Sequence, residues 1–280
     1  MNSRGVLAAA VVLALVAMGA ALQPVADTVR RAAGGPEPAL APAGLDAALG
    51  RGVSVAVLGG YRGLAADLLW LETYVTWTAR DRPTTTALIR LVTSIDERPE
   101  SFWLNGARII AYDLAQWRLA EAARGAAASP AECRRIRHEQ ADAAVELLAR
   151  ARRWHPRSAA ICIELGNIEL VGRGDLAAAA RWYRAAAELP RAPHYAARVY
   201  AELLRRQGRP AEAYAWLRRI HPALPPGDPE AMPEAVLARI RELETELGVP
   251  AADRYRSAGI DEASQRGQKE ELTGFAGKVE

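Results

Sequence analysis

One spacing recurs along this chain and limits the architectures open to it. Ala87 is followed four residues on by Leu91 and twelve residues on by Pro99. Ala144, Leu148 and Pro156 repeat that spacing, as do Ala178, Trp182 and Pro190, and then Ala213, Leu217 and Pro225. The last three prolines stand 34 and 35 residues apart. A small residue one turn before a bulky one suits a helix face that a neighbour crosses closely, and proline ends such a helix. A period near 34 residues is the length of a helical hairpin, and stacked hairpins make a solenoid. Composition agrees, because the apolar half of the 280 residues is dominated by alanine and holds only two Phe. Few β-branched runs interrupt it, which favours helix over sheet. The expected class is all-α.

The third and fourth units fill the pattern best. Gly166, within Cys162-x2-Leu165-Gly166-Asn167, is the small residue on the first helix of the third unit, and Ala201 plays that part in the fourth. Gln207-Gly208-Arg209 supplies the fourth unit's turn. With Pro190 and Pro225, these residues resemble the tetratricopeptide repeat (TPR) family, which implies a solenoid of about four hairpins over residues 51–227. Two departures stand out: Glu169 replaces a usual aromatic, and Gly172-Arg173-Gly174 lengthens one turn by a residue. The second unit is split. Its first helix spans 101–112 with Gly106 and Ala107 as the small contact, and its second spans 139–153. Between them lies an insertion, 114–138, in which Ser129-Pro130 caps a new helix. Either the insertion carries function or it lengthens the helix pair.

The first unit opens on GGYRGLAADLLWLETYVTW, residues 59–77. At 100° per residue, Leu64, Leu68, Leu71 and Val75 form one stripe and Trp70, Tyr74 and Trp77 a second. Asp67 falls between them, on the side expected to be buried, while Leu69, Glu72 and Thr76 point away. A buried carboxylate needs a partner, and Arg90 or Arg108 is in reach of such a pairing, which would fix helix register. Thr84 to Asp96 is the second helix of this unit. The opening run also resembles the start of a group of bacterial membrane-anchored TPR proteins, a likeness that implies architecture and no activity.

Gly5 to Leu22 is 18 uncharged residues after Arg4, near the length that spans hydrocarbon. Residues 1–31 therefore read as an N-terminal transmembrane anchor or, with cleavage after Ala21, a signal segment. The expected placement is a bacterial inner membrane with one span and the bulk periplasmic, or a released periplasmic form. Residues 32–50 are a Pro/Gly/Ala linker, and Val53–Leu58 is either a strand or a first turn under the opening helix. Val236, Ile240, Leu243 and Leu247 make a capping helix within 228–249, with Glu234, Glu242, Glu244 and Glu246 on an acidic outer face. Residues 250–280 are polar and read as a disordered tail.

No catalytic arrangement is visible. His138, His155, His194 and His221 are scattered, and no HExxH, GxSxG, P-loop or CxxC pattern occurs. Cys133 and Cys162 are too few for a disulfide framework and have no metal spacing. An enzyme, a metal site and a cofactor are therefore not expected. From Pro130 to Leu224, 17 Arg face 10 acidic residues, so an acidic partner is one reading and solvated helix faces the other. This basic excess lacks an aromatic stacking platform, so nucleic acid is not the expected partner. The TPR register places Asn105, Arg108, Tyr112, Asn167, Arg198, Glu202 and Arg205 along a groove where amides bind a peptide backbone and guanidinium groups bind carboxylates. The expectation is a membrane-anchored scaffold for a protein or peptide partner. The alternatives are a cleaved periplasmic peptide binder or an accessory subunit of an envelope enzyme or transporter. Nothing in the sequence sets the oligomeric state.

Overall fold

A computed structural model describes residues 61–124 and 128–257. The expected anchor, the linker, the Val53–Leu58 run and residues 258–280 lie outside them. Every regular element among the described residues is helical. The chain divides into two compact units, residues 1–156 and 157–280.

The first unit holds α1 (Arg62–Thr78), α2 (Arg82–Ile95), α3 (Glu100–Arg108), α4 (Leu114–Ala122) and α5 (Pro130–Trp154). α1 packs on α2, and α3 and α4 pack on α5. Asp81 caps α2 by accepting from the Thr84 N–H at 3.2 Å, with Pro83 in the first turn. Ser129 caps α5 in the same way through the Glu132 N–H, and Pro130 opens the helix. α5 therefore starts nine residues before the expected 139. α3 and α4 are joined by one π-helical turn, Ile109–Asp113, so the insertion lengthens both helices of this pair.

The α1–α2 interface overturns the expected wheel. Ala65, Ala66, Leu69, Thr73 and Thr76 are the buried residues of α1. Leu64, Leu68, Leu71 and Val75 are all more than half exposed. Asp67 is exposed too, and it makes no ion pair among the described residues. The reason lies in threonine. Buried hydroxyls at Thr73, Thr85 and Thr93 donate to carbonyls one turn back, at 2.7–2.9 Å, and the Thr85 and Thr76 hydroxyls lie 3.1 Å apart across the interface. With the hydroxyl satisfied, Thr packs as a small apolar residue and lets α1 and α2 approach. The buried carboxylate of this unit is Asp96, 3 % exposed, at the end of α2. It accepts from Arg98 Nε at 2.8 Å and from a second guanidinium nitrogen at 3.0 Å. That charge-assisted fork holds its carboxyl below the usual range, against the opposing effect of burial.

The second unit holds α6 (Ala159–Ile168), α7 (Leu176–Ala187), α8 (His194–Arg206), α9 (Pro210–Ile220) and α10 (Pro233–Glu246), each packed on the next. The recurring alanines lie at the crossings: Ala144 in the first unit and Ala178 and Ala213 in the second are buried, and Ala87 is half-buried. Gly166 and Gly106 mark the tightest approaches. A Cβ on Gly166 would lie 2.7 Å from Tyr183 Cδ2, and one on Gly106 would lie 2.6 Å from Ile89 Cγ2. The extra residue at Gly172–Gly174 is absorbed by a second π-helical turn, Glu169–Arg173. Glu169 is buried there and paired with Arg173 at 2.8 Å.

Two expectations for the end of the chain need correction. Glu244 does not face solvent with Glu234, Glu242 and Glu246; it is 1 % exposed. Residues 251–257 are not a loose tail, because Tyr255 turns back onto α9 and α10. Its N–H donates to Glu244 Oε1 at 2.6 Å and its hydroxyl lies 3.0 Å from His221 Nδ1. Arg218 stacks over both Tyr214 and Tyr255. Tyr255, the only aromatic residue between Pro250 and Phe275, supplies the anchor that polarity counting misses.

Candidate binding site

The first unit carries a cleft of about 330 Å³ between α1 and α3, lined by Trp70, Thr73, Tyr74, Trp77, Asn105, Arg108 and Ile109. Trp70, Tyr74 and Trp77 recur at i, i+4 and i+7, so one helix face presents all three. Trp70 leans on Phe102 with ring centroids 5.2 Å apart, and Tyr74 on Trp77 at 5.6 Å. The π-helical turn shapes the opposite wall. It brings Ile109 to the cleft and lets Asp113 accept from Trp77 Nε1 at 2.8 Å, which fixes that indole. Thr73 on the floor is satisfied by the Leu69 carbonyl.

The Trp70 indole N–H, the Tyr74 hydroxyl and the Asn105 amide make no hydrogen bond among the described residues. The cleft thus combines apolar ring surface, unspent polar groups and the Arg108 guanidinium. Aromatic faces accept aliphatic or aromatic side chains. An indole N–H and a carboxamide match peptide carbonyl and N–H groups, and arginine matches a carboxylate.

Of the seven residues expected along a groove, Asn105 and Arg108 are brought together here. Tyr112 lies in the π-helical turn, half-buried and outside the cleft lining. The other four belong to the second unit and are engaged in its own fold. Asn167 accepts the Tyr183 hydroxyl, and burial pushes that phenol up to about 12. Arg198 donates to the Glu230 and Ala231 carbonyls, both at 2.8 Å, tying down the segment before α10. Glu202 and Arg205 form a two-point ion pair with each other at 3.0 and 2.8 Å. Trp70, Tyr74 and Trp77 were visible as a stripe, and the repeat register gave no reason to place them opposite Asn105.

Two of the scattered histidines serve local structure. His155 Nε2 lies 3.0 Å from the Glu97 carbonyl, and His221 faces Tyr255. No disulfide joins Cys133 and Cys162. Among the described residues, no three His, Cys, Asp or Glu side chains are grouped to hold a metal ion, and no helix is long and apolar enough to cross a membrane. Comparison of the chain with protein-family models gives no match, and comparison with curated proteins gives none either.

Proposed function

We propose that this chain is a protein-interaction module of the TPR type. Its first unit binds a short peptide segment in the cleft between α1 and α3, and its N-terminal apolar segment, residues 5–22, holds it at a bacterial inner membrane. It works by binding and not by catalysis. The observation that carries this reading is the ring-walled cleft with Arg108 and Asn105 at its rim. The 34-residue period and the small residues at buried crossings support the TPR assignment. The ligand chemistry that fits is an extended peptide with a large apolar side chain next to a carboxylate: the apolar group lies on Tyr74 and Trp70, and the carboxylate meets Arg108.

Random displayed peptides selected against the full chain test it. Selected sequences should pair an aromatic or aliphatic residue with Asp, Glu or a free carboxyl terminus. Arg108→Glu should weaken their binding about tenfold or more, as loss of a charge-assisted hydrogen bond does. Tyr74→Ala, at an exposed ring, should also weaken it. Selected peptides whose affinity survives both substitutions would place the binding surface elsewhere.

A further inference from the structure

The cleft between α1 and α3 offers more hydrogen-bond donors than acceptors. The Trp70 indole N–H is a donor only, and it has no partner among the described residues. The Tyr74 hydroxyl and the Asn105 carboxamide, equally unspent, add an O–H and two N–H donors, and the Arg108 guanidinium has no acceptor atom. The nearby carboxylate that could offset them, Asp113, is taken by Trp77 Nε1 at 2.8 Å. The Thr73 hydroxyl on the floor already gives its proton to the Leu69 carbonyl. A peptide of ordinary residues brings one N–H for every carbonyl. In this cleft those N–H groups meet few acceptors, and burying them unpaired is costly.

We propose that the peptide taken by this cleft is proline-rich and binds as a polyproline II helix. The inference rests on the cleft being a peptide site, and it narrows the ligand's apolar group to residues three apart, at least one of them proline. Proline has no N–H, and a polyproline II backbone makes no internal hydrogen bonds, so its carbonyls are all open to donors. The ring spacing agrees. Trp70 leans on Phe102 and Tyr74 on Trp77, so two ring pairs follow one another along α1. Trp70 to Trp77 covers about 10 Å at 1.5 Å per residue, and one polyproline II turn of three residues rises about 9 Å. Ligand residues three apart therefore face successive ring pairs. A pyrrolidine ring is apolar and has no rotamer freedom to lose, which suits the exposed face of Tyr74. Arg108 then meets a carboxylate placed beside the prolines.

Two other ligand backbones fit less well. A helical ligand has its carbonyls paired internally and leaves the Trp70 N–H and the Tyr74 hydroxyl nothing on the backbone to bind. A ligand that docks as a β-strand adds to an open sheet edge, and the described residues hold no strand.

Fluorescence anisotropy of labelled peptides with the full chain tests this. The probes are acetyl-Pro-Pro-Leu-Pro-Pro-Glu-amide, its counterpart with alanine for every proline, and a third with N-methylalanine, which also lacks the N–H. The alanine peptide should bind about tenfold or more weakly than the proline peptide, since its N–H groups are buried unpaired, and the N-methyl peptide should stay within about threefold. Trp70→Phe and Tyr74→Phe keep a ring and remove a donor, and each should weaken the proline peptide about fivefold, the factor for one neutral hydrogen bond. An alanine peptide that binds as tightly as the proline peptide, and loses binding with Tyr74→Ala, overturns the polyproline II inference and leaves the cleft a peptide site. Unchanged affinity of the proline peptide in both Phe variants overturns it as well. So does a proline peptide that fails to bind while displayed peptides without proline bind and lose affinity with Tyr74→Ala. If no peptide's binding depends on Tyr74 or Arg108, the peptide site and this inference fall together.

Discussion

Gly166→Ala isolates the close helix crossing on which the repeat pattern depends. On an ordinary helix this substitution stabilises, since glycine is about 1 kcal/mol worse than alanine in a helix interior. At this site the new methyl would sit 2.7 and 2.9 Å from two carbons of the Tyr183 ring and 3.4 Å from the Ala179 carbonyl. The ring has to retreat by nearly 1 Å to restore ordinary contact. It is buried, its hydroxyl is bound to Asn167, and a planar ring moves as one body. Overpacking of this kind costs about 1–3 kcal/mol, and a strained or lost hydroxyl bond adds about 1 kcal/mol. After the propensity gain is subtracted, the net loss is about 1–3 kcal/mol. Urea unfolding of the full chain followed by circular dichroism measures it. Because two units are present, the transition that shifts should be the one also reported by fluorescence of Trp216, which lies in the second unit. Tyr183→Leu in the same chain makes room for the methyl, so Gly166→Ala should cost at least about 1 kcal/mol less in that background. An unchanged or raised stability in the single variant would mean that Gly166 is not a contact residue.

Three further outcomes follow from the acids and the cleft. Asp67→Ala should change stability by no more than about 0.5 kcal/mol, as at other exposed sites, whereas Asp96→Ala should cost about 1–2 kcal/mol by breaking the Arg98 fork; thermal melts of both distinguish the buried acid from the exposed one. Glu244 is pushed up by burial, but its bonds from Arg241, the Tyr255 N–H and the Tyr214 hydroxyl outweigh this and hold it below its ordinary 4.5. The unfolded chain then binds that proton more tightly, so this part of stability is complete above about pH 4.5 and lost as acid protonates the folded carboxylate; Glu244→Gln should flatten that part of the acid-unfolding curve and cost about 1–3 kcal/mol at pH 7. Asp113→Ala releases the Trp77 indole from its 2.8 Å bond, and peptides selected on the intact cleft should bind it several-fold more weakly while the fold persists.

The helical class and the crossings were legible because they rest on spacing. Alanine one turn before a bulky residue, with a proline eight residues beyond that, has one good use in a helical chain, and Ala144, Ala178 and Ala213 are indeed buried. Side choice in α1 was not legible. A wheel ranks faces by transfer energy, and it scores Thr73 and Thr76 as polar although their hydroxyls are satisfied within the helix. It therefore chose the leucine stripe, and with it a buried Asp67. The wheel found two apolar faces but had no means to say which one meets α2, since that depends on how closely the neighbour approaches, and small side chains win at close range.

The cleft escaped sequence reasoning for a related cause. Its walls come from two helices whose phase is set by an irregularity. At Ile109–Asp113 the helix takes a π-helical turn, which spends an extra residue per turn and rotates everything beyond it. The repeat register assumes an unbroken α-helix through residues 101–112, which keeps Asn105, Arg108 and Tyr112 on one face, so Tyr112 is grouped with the other two. In the structure the turn brings Ile109 to the cleft and Asp113 to the Trp77 indole, and leaves Tyr112 outside. The same device at Glu169–Arg173 takes up the extra residue that made the third unit an imperfect repeat. In both places the turn follows, within a few residues, the glycine that lets the neighbouring helix come close. Tight packing at Gly106 and Gly166 locks the first half of each helix, so a surplus residue has to be accommodated after it, and there the altered phase decides which side chains reach the surface.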